Sequence, residues 1–385
     1  MNEYKQLLVI PAYCNTLGGM MVSLALLSEG FAHHSALEKL KILVPANSLM
    51  EKYLRERGQY QVLKVIDSAP GHVFLQAALN WVNKQPPDYP LLLDNCVWRS
   101  YLPVLLKATP QLRFSRRPVY HFCHDLGISY NKWGNGARKF VFACLAPQVI
   151  CNSQFTASYI RNLMPNVEEI LYQPVDLERF QPRLPNQHPP EALKPILQSG
   201  ARIMLTPSRL NKPGIVNDKN LRSLIPVLAQ LKAMGKFYHC VIIGSDQSPG
   251  QVHRRDLMTR AANFGVADRL TILPSTFAIE AYYPYADVVV SLAPREPFGR
   301  TVVEAIASGI PVVGSNSGGI REILEQFAPQ WTVEPFDCVA VAETIVRVMG
   351  AIDTPDILTQ GRCWVESHCS THIYAQRMME ITRII

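Results

Sequence analysis

The 385-residue chain has no stretch approaching the ~20 uninterrupted apolar residues that a membrane-crossing helix needs. Its opening, MNEYKQLLVIPAY, holds a short apolar run without a cleavage-site pattern. It reads as a first strand rather than a signal peptide, so the chain is expected to be cytoplasmic. No C-x-x-C pair occurs. The nine cysteines, at 14, 96, 123, 144, 151, 240, 338, 363 and 369, lie mostly within apolar runs such as FVFACLA and YHCVIIG. That pattern predicts buried, reduced thiols and no zinc site. No G-x-G-x-x-G follows the first strand candidate, which disfavours a dinucleotide oxidoreductase. No aromatic ladder or nucleic-acid-binding module accompanies the basic residues, which disfavours nucleic acid.

What is present describes a globular chain with ample core: 48% hydrophobic and 18% charged residues, with a formal charge of +7. The length suggests two domains of roughly 180 residues each. The local positive excess lies in RFSRRP (113–118) and in Lys132, Arg138 and Lys139. It reads either as a solvated basic face or as a surface for an anionic membrane.

Apolar strand candidates alternate with amphipathic helices. QLLVIPA (6–12), LKILVPA (40–46), YQVLKVI (60–66), YPLLLDN (89–95), PVYHFCH (118–124) and PQVICNS (147–153) form a first series. Helical patterns such as GMMVSLALLSEGF and GHVFLQAALNWVNK lie between them. Near-continuous apolar strands separated by helices are what a parallel sheet covered on both faces requires. QPRLPNQHPPEALKP (181–195), with five prolines, interrupts the pattern and marks the best domain boundary. The alternation then resumes with RIMLTPS (202–208), FYHCVIIGS (237–245), RLTILP (269–274), ADVVVSLA (286–293) and IPVVGS (310–315). The predicted fold class is therefore α/β, with two Rossmann-like domains facing across a cleft at the strand ends. The expected bounds are 1–180, a Pro-rich linker over 181–200, a second domain over 201–365, and a terminal helix over 366–385. That helix is expected to pack back on the first domain.

The densest chemistry lies in EPFGRTVVEAIASGIPVVGSNSGG (296–319). Glu296 is predicted in the loop after the strand ADVVVSLA, and Glu304 about one turn into the following helix. Backbone N–H groups near Gly299, Arg300 and Thr301 would favour an anion at that helix end. A carboxylate accepts two hydrogen bonds at once, which suits a vicinal diol. Either acid alone would be an ordinary loop or exposed helix residue. Together they point to a diphosphate at the helix end with hydroxylated sugars on either side.

This segment resembles the E-x7-E signature of the retaining glycosyltransferases of family 4, which have the two-Rossmann GT-B fold. QPVDLERFQP, GVADRLTILP and YYPYADVVVSLAPREPFGRTVVEAIASGIPVVGSNSGGIREIL follow the family's order and spacing over most of residues 150–350. The resemblance is weaker in the N-terminal domain. It implies that Glu296 contacts hydroxyls of the transferred sugar and that Glu304 holds the nucleotide ribose. Backbone around Phe298, Gly299, Thr301 and Val302 would meet the sugar and phosphates. Arg209 in TPSRLNK and a lysine, Lys212 or Lys219, would neutralise the diphosphate; the KN at 219–220 suits the family's setting better. In the first domain Gly18 and Gly19 would approach a phosphate. His124 in HFCHDLG would lie near the transferred sugar, with His121 inside the strand.

The resemblance implies catalytic roles for His124, Glu296, Arg209 and Lys219. It further implies a UDP-sugar donor, with UDP-glucose favoured by family frequency and GDP-sugars open. The acceptor would be a glycan or lipid-linked molecule, in exopolysaccharide or envelope polysaccharide synthesis, with peripheral membrane contact through the basic face. No D-x-D motif occurs, so cationic side chains and a helix end are expected to replace a metal, and no cofactor is expected. The rival readings are a phosphorylase, an epimerase, or a nucleotide-sugar-binding scaffold without turnover.

Overall fold

The computed structural model describes residues 5–15, 18–128, 132–214 and 218–385. The chain forms two compact units, one of residues 1–174 with 369–385 and the other of residues 175–368.

In the first unit seven parallel strands form one sheet: β1 (Leu7–Pro11), β2 (Leu40–Pro45), β3 (Leu63–Ile66), β4 (Leu91–Asp94), β5 (Val119–Cys123), β6 (Gln148–Cys151) and β7 (Val167–Ile170). Their order is β3-β2-β1-β4-β5-β6-β7. β1, β2, β4 and β6 are buried almost throughout, as strands covered by helices on both faces must be. β7 escaped the sequence reading. Its VEEI is half-buried at best, because an edge strand pairs on one side only and needs no continuous apolar run.

The second unit repeats the plan with β8 (Arg202–Pro207), β9 (Tyr238–Ile243), β10 (Leu270–Leu273), β11 (Val288–Ser291), β12 (Val312–Ser315) and β13 (Thr332–Val333). The order is β10-β9-β8-β11-β12-β13, again all parallel. β13 has two residues, too few to show a sequence pattern.

The expected linker is corrected by the structure. Residues 181–200 belong to the second unit, which begins at Val175. Leu193 and Ile196 are buried, Tyr285 donates its hydroxyl to the Gln187 carbonyl, and Arg183 lies over the Tyr285 ring at 4.7 Å. The proline-rich strap is anchored through Leu193 and Ile196, while Leu184 and Leu197 stay exposed, where composition alone suggested a free tether.

At the C-terminus, helix Thr371–Ile381 starts at Ser370, whose hydroxyl accepts from the Ile373 amide. It packs on helix Gly19–His33 and buries Tyr374, Ala375, Met378 and Met379 in the first unit's core. Met378→Ala is expected to lower the stability of the first unit by about 2–5 kcal/mol, the range for removing a buried long side chain. Urea unfolding followed by circular dichroism checks this, and a midpoint equal to that of the parent would contradict the packing.

Candidate functional site

In an open parallel sheet, ligands bind beyond the C-terminal ends of the strands, where the strand order reverses. In the second unit that reversal falls between β8 and β11. Ser208–Arg209–Leu210 leaves β8, and the loop carrying Glu296 leaves β11.

The β8 exit is drawn close to the end of β9. The Leu210 amide donates to the Ser245 carbonyl at 3.0 Å, and a Cβ on Gly244 would run into the Ser208 carbonyl. Any larger residue at 244 must push away the segment that carries Arg209, whose side chain is exposed.

Lys219 follows in the same connection. Asp218 accepts from the Asn220 amide at 2.8 Å, and Asn220, at φ 50°, donates its side-chain amide to the Pro335 carbonyl at 2.8 Å. Held in this turn, Lys219 reaches Glu296: Nζ donates to Oε2 at 2.6 Å, with both side chains about one-fifth exposed. Lys212, the other candidate, is exposed in the same loop. Lys219 is thus the lysine that the structure brings to Glu296.

The Glu296 loop rests on the helix after β12. The Gly319 amide donates to the Glu296 carbonyl at 2.8 Å, and Ser317 donates its hydroxyl to the Pro294 carbonyl at 2.7 Å. A Cβ on Gly319 would collide with the Phe298 backbone, so glycine permits this approach. Gly299, at φ 107°, caps helix Arg300–Ala307 and, as a glycine, brings no side chain of its own to that end. Phe298 and Val302 are buried beneath it, and Thr301 is half-buried.

Glu304 is not an exposed helix residue. Only 7% of it is exposed, and its Oε2 accepts the Tyr283 hydroxyl at 2.7 Å. Burial lifts its carboxyl above the usual range, while Arg300 and the Tyr283 hydroxyl pull it back. Tyr283 is fully buried and lies edge-on to Phe180 at 5.5 Å. Burial first and Glu304 second raise its phenol well above normal, so it stays a donor. Nearby, Arg179 forks onto Glu280 Oε1 through Nε at 3.1 Å and Nη2 at 2.5 Å.

The first unit's reversal point lies between β1 and β4. Gly18 caps helix Gly19–His33 with extended backbone, and an added Cβ there meets open space among the described residues. Neither packing nor backbone conformation therefore demands glycine at 18. His124, just past β5, places Nε2 2.5 Å from Asp94 Oδ1 at the end of β4. Asp94 is 1% exposed. After burial, its charge is the next cause holding the Cys14 thiol up at about 12. His121 lies inside β5, fully buried, and burial lowers it to about 3, so it is neutral.

Tyr283, Asp94, Gly244 and the support role of Gly319 were not found in the sequence. Tyr283 stands in YYPYAD, 21 residues from the acid it holds, and only the fold joins them. Asp94 closes an apolar strand, and a charged residue there was the one available signal.

Tyr283→Phe is expected to cost about 1.5–3 kcal/mol in urea unfolding at neutral pH, the loss of a hydrogen bond to a buried charged group. In a Glu304→Gln background the same change should cost less. Equal costs in the two backgrounds would show that the hydroxyl does not serve the carboxylate.

Residues 190–354 match the family described as glycosyl transferases group 1. The chain is 32% identical over 151 residues to a D-inositol 3-phosphate glycosyltransferase of Mycolicibacterium gilvum, covering 39% of this chain and 33% of that protein. It is 26% identical over 176 residues to the lipopolysaccharide core biosynthesis mannosyltransferase LpsB of Rhizobium meliloti, covering 46% and 47%. The matched stretches thus span less than half the length of these two relatives. Over the whole fold, the chain is similar to HepE of Anabaena. The HepE structure with UDP superposes with a TM-score of 0.76 at 18% identity, over 99% of this chain and 100% of that one. The HepE structure with UDP-glucose gives 0.75 at 19% identity, over 98% and 100%. The chain has the GT-B fold of two parallel-sheet α/β domains, and its residues 190–354 match the glycosyl transferases of group 1.

Proposed function

We propose that this protein is a retaining, metal-independent hexosyltransferase. In this reading it takes glucose from UDP-glucose to a glycan or lipid-linked acceptor in polysaccharide synthesis. The observation that carries it is the Lys219–Glu296 pair beside the Gly299 helix end, with buried Glu304 one turn deeper. These groups match the chemistry of a sugar nucleotide in order: a carboxylate for sugar hydroxyls, cations and amides for the diphosphate, and a carboxylate for the ribose diol. UDP and UDP-glucose bound to HepE support the choice of donor.

When a donor enters, Lys219 turns from Glu296 to the diphosphate, and Glu296 is released to the sugar. The bond from the anomeric carbon to the phosphate oxygen breaks, and the acceptor oxygen bonds to that carbon on the same face. The departing phosphate oxygen takes the acceptor's proton. Arg209, Lys219 and the amides at the start of helix Arg300–Ala307 stabilise the charge left on the diphosphate. Gly18 and Gly19 serve the phosphate side and His124 the sugar side, with Asp94 holding the imidazole.

Glu304→Ala is expected to weaken UDP binding about tenfold or more with a smaller change in kcat, because ribose contacts exist equally before and in the transition state. Glu296→Ala is expected to lower kcat with little change in UDP affinity. Calorimetry with UDP and steady-state kinetics measure both, and equal losses of UDP affinity would refute the assignment.

The stereochemical outcome is a second expectation. With EDTA present, an α-linked donor should give an α-linked product, read from the anomeric proton coupling by NMR. A β-linked product, or activity that returns only with manganese or magnesium, would exclude this mechanism.

A further inference from the structure

Next to the Lys219 turn the second unit has a cavity of about 160 Å³. It lies where three stretches meet: the connection after β8, the start of helix Val252–Asn263, and the loop from β13 to helix Cys338–Gly350. Among its described lining residues only Lys219 belongs also to the proposed donor site, and the Lys219 ammonium goes to Glu296. A cavity of about 150 Å³ can hold one six-membered ring, whereas sites for larger ligands run to about 300–1,000 Å³. Size therefore selects a single ring.

Part of the lining is apolar. Leu210, Leu221 and Leu257 are buried, and Phe336 is 59% exposed, so its ring stands at the opening. Part is polar, with hydrogen-bonding capacity left over. Arg222 donates Nε to Asp256 Oδ2 at 2.8 Å, and Arg260 donates to the same oxygen at 3.1 Å. Among the described residues, the two Nη groups of Arg222 and Oδ1 of Asp256 have no partner. Two donors beside an open carboxylate oxygen are matched by two adjacent hydroxyls, one accepting from Arg222 and the other donating to Asp256.

The fixed charges of the lining cancel, Asp218 and Asp256 against Lys219 and Arg222. Both cations are already paired, and an anion here would also meet two carboxylates, which disfavours a phosphate. Among the described residues no group of three or more His, Cys, Asp or Glu side chains could hold a metal ion. A neutral ring with hydroxyls at its edge and C–H groups on its face uses both parts of the lining.

We infer that this cavity binds one neutral pyranose unit, with a C–H face on Phe336 and a pair of hydroxyls between Arg222 and Asp256. The inference rests on the cavity and stands whether or not the donor is UDP-glucose. A free sugar and one unit of a longer glycan share this chemistry. Exposed Pro213 and Phe336 leave room for a chain to continue outward.

The test is saturation-transfer NMR on the full chain with UDP in excess, using methyl α-glucoside, methyl α-mannoside, methyl α-galactoside and maltotetraose. Saturation of the ring protons of at least one of them is expected in the parent. Phe336→Ser and Arg222→Met should each weaken that binding about tenfold, the scale of a lost aromatic contact or of a lost hydrogen bond to a charged group. UDP affinity by calorimetry should stay within about twofold of the parent. An unchanged circular dichroism spectrum verifies folding, and either variant suffices if the other misfolds. Binding of maltotetraose about tenfold tighter than of the monosaccharides assigns a glycan chain, equal binding assigns a free sugar, and both uphold the inference. No saturation transfer in the parent overturns it, as does equal binding in the parent and the folded variants. Binding lost in Glu296→Ala but kept in Phe336→Ser and Arg222→Met would place the sugar in the donor site and overturn it too. Displacement of the sugar by inorganic phosphate would do the same.

Discussion

The second unit's site depends on how closely two stretches of backbone can approach. The loop after β11 lies directly on the first turn of the helix after β12, with the Gly319 amide bonded to the Glu296 carbonyl and no room for a Cβ at 319. That contact fixes where Glu296 leaves the sheet. It sets Gly299 as the start of the next helix, and the helix then carries Glu304 inward to Tyr283. On the other side of the reversal point, Gly244 does the same for the segment holding Arg209. Both are steric permissions, and the charged groups are placed by them.

The two glutamates are kept in opposite electrostatic conditions. Glu296 is partly exposed and paired with Lys219, so its charge is compensated before any ligand arrives. In the proposed function, exchanging that partner for a sugar hydroxyl while the lysine turns to a phosphate would keep one ion pair, now between the lysine and the phosphate. Glu304 is buried with a neutral donor, and burial works against its ionisation. In the proposed function, a diol offering two donors to such a carboxylate would replace solvation that burial withholds. The same residue type thus stands in two electrostatic conditions, one set by an ion pair and the other by burial.

Much of this was legible in the sequence because it is periodic or local. Eleven of the strands announce themselves as apolar runs, and E-P-F-G-x-x-x-x-E sits within 9 residues, so strand, loop and helix could be placed without a fold. What stayed hidden is non-local or weakly patterned. Tyr283 and Asp94 matter through partners 21 and 30 residues away. β7 and β13 are edge strands with little to bury. The strap over 181–200 carries the composition of a linker, yet its Leu193 and Ile196 are core residues, and no composition rule distinguishes a packed proline-rich segment from a free one. That Lys219 rather than Lys212 meets Glu296 likewise depends on a non-local turn, in which Asn220 at φ 50° is bonded to Pro335.

The first unit separates its two surfaces by the geometry of parallel strands. Crossover helices must lie on the faces of such a sheet, while loops gather at the strand ends. Asp94 and His124 close β4 and β5, so their chemistry belongs to an end of the sheet. The helices after those same strands, Leu102–Phe114 and Lys132–Leu145, carry exposed Phe114, Trp133 and Phe140 on their outer sides. Each βα step therefore contributes once to the strand-end chemistry and once to the outer face. A change such as Phe140→Ser alters the outer face without touching a residue that holds His124. Residues at the strand ends and on the outer face can accordingly vary independently on one scaffold.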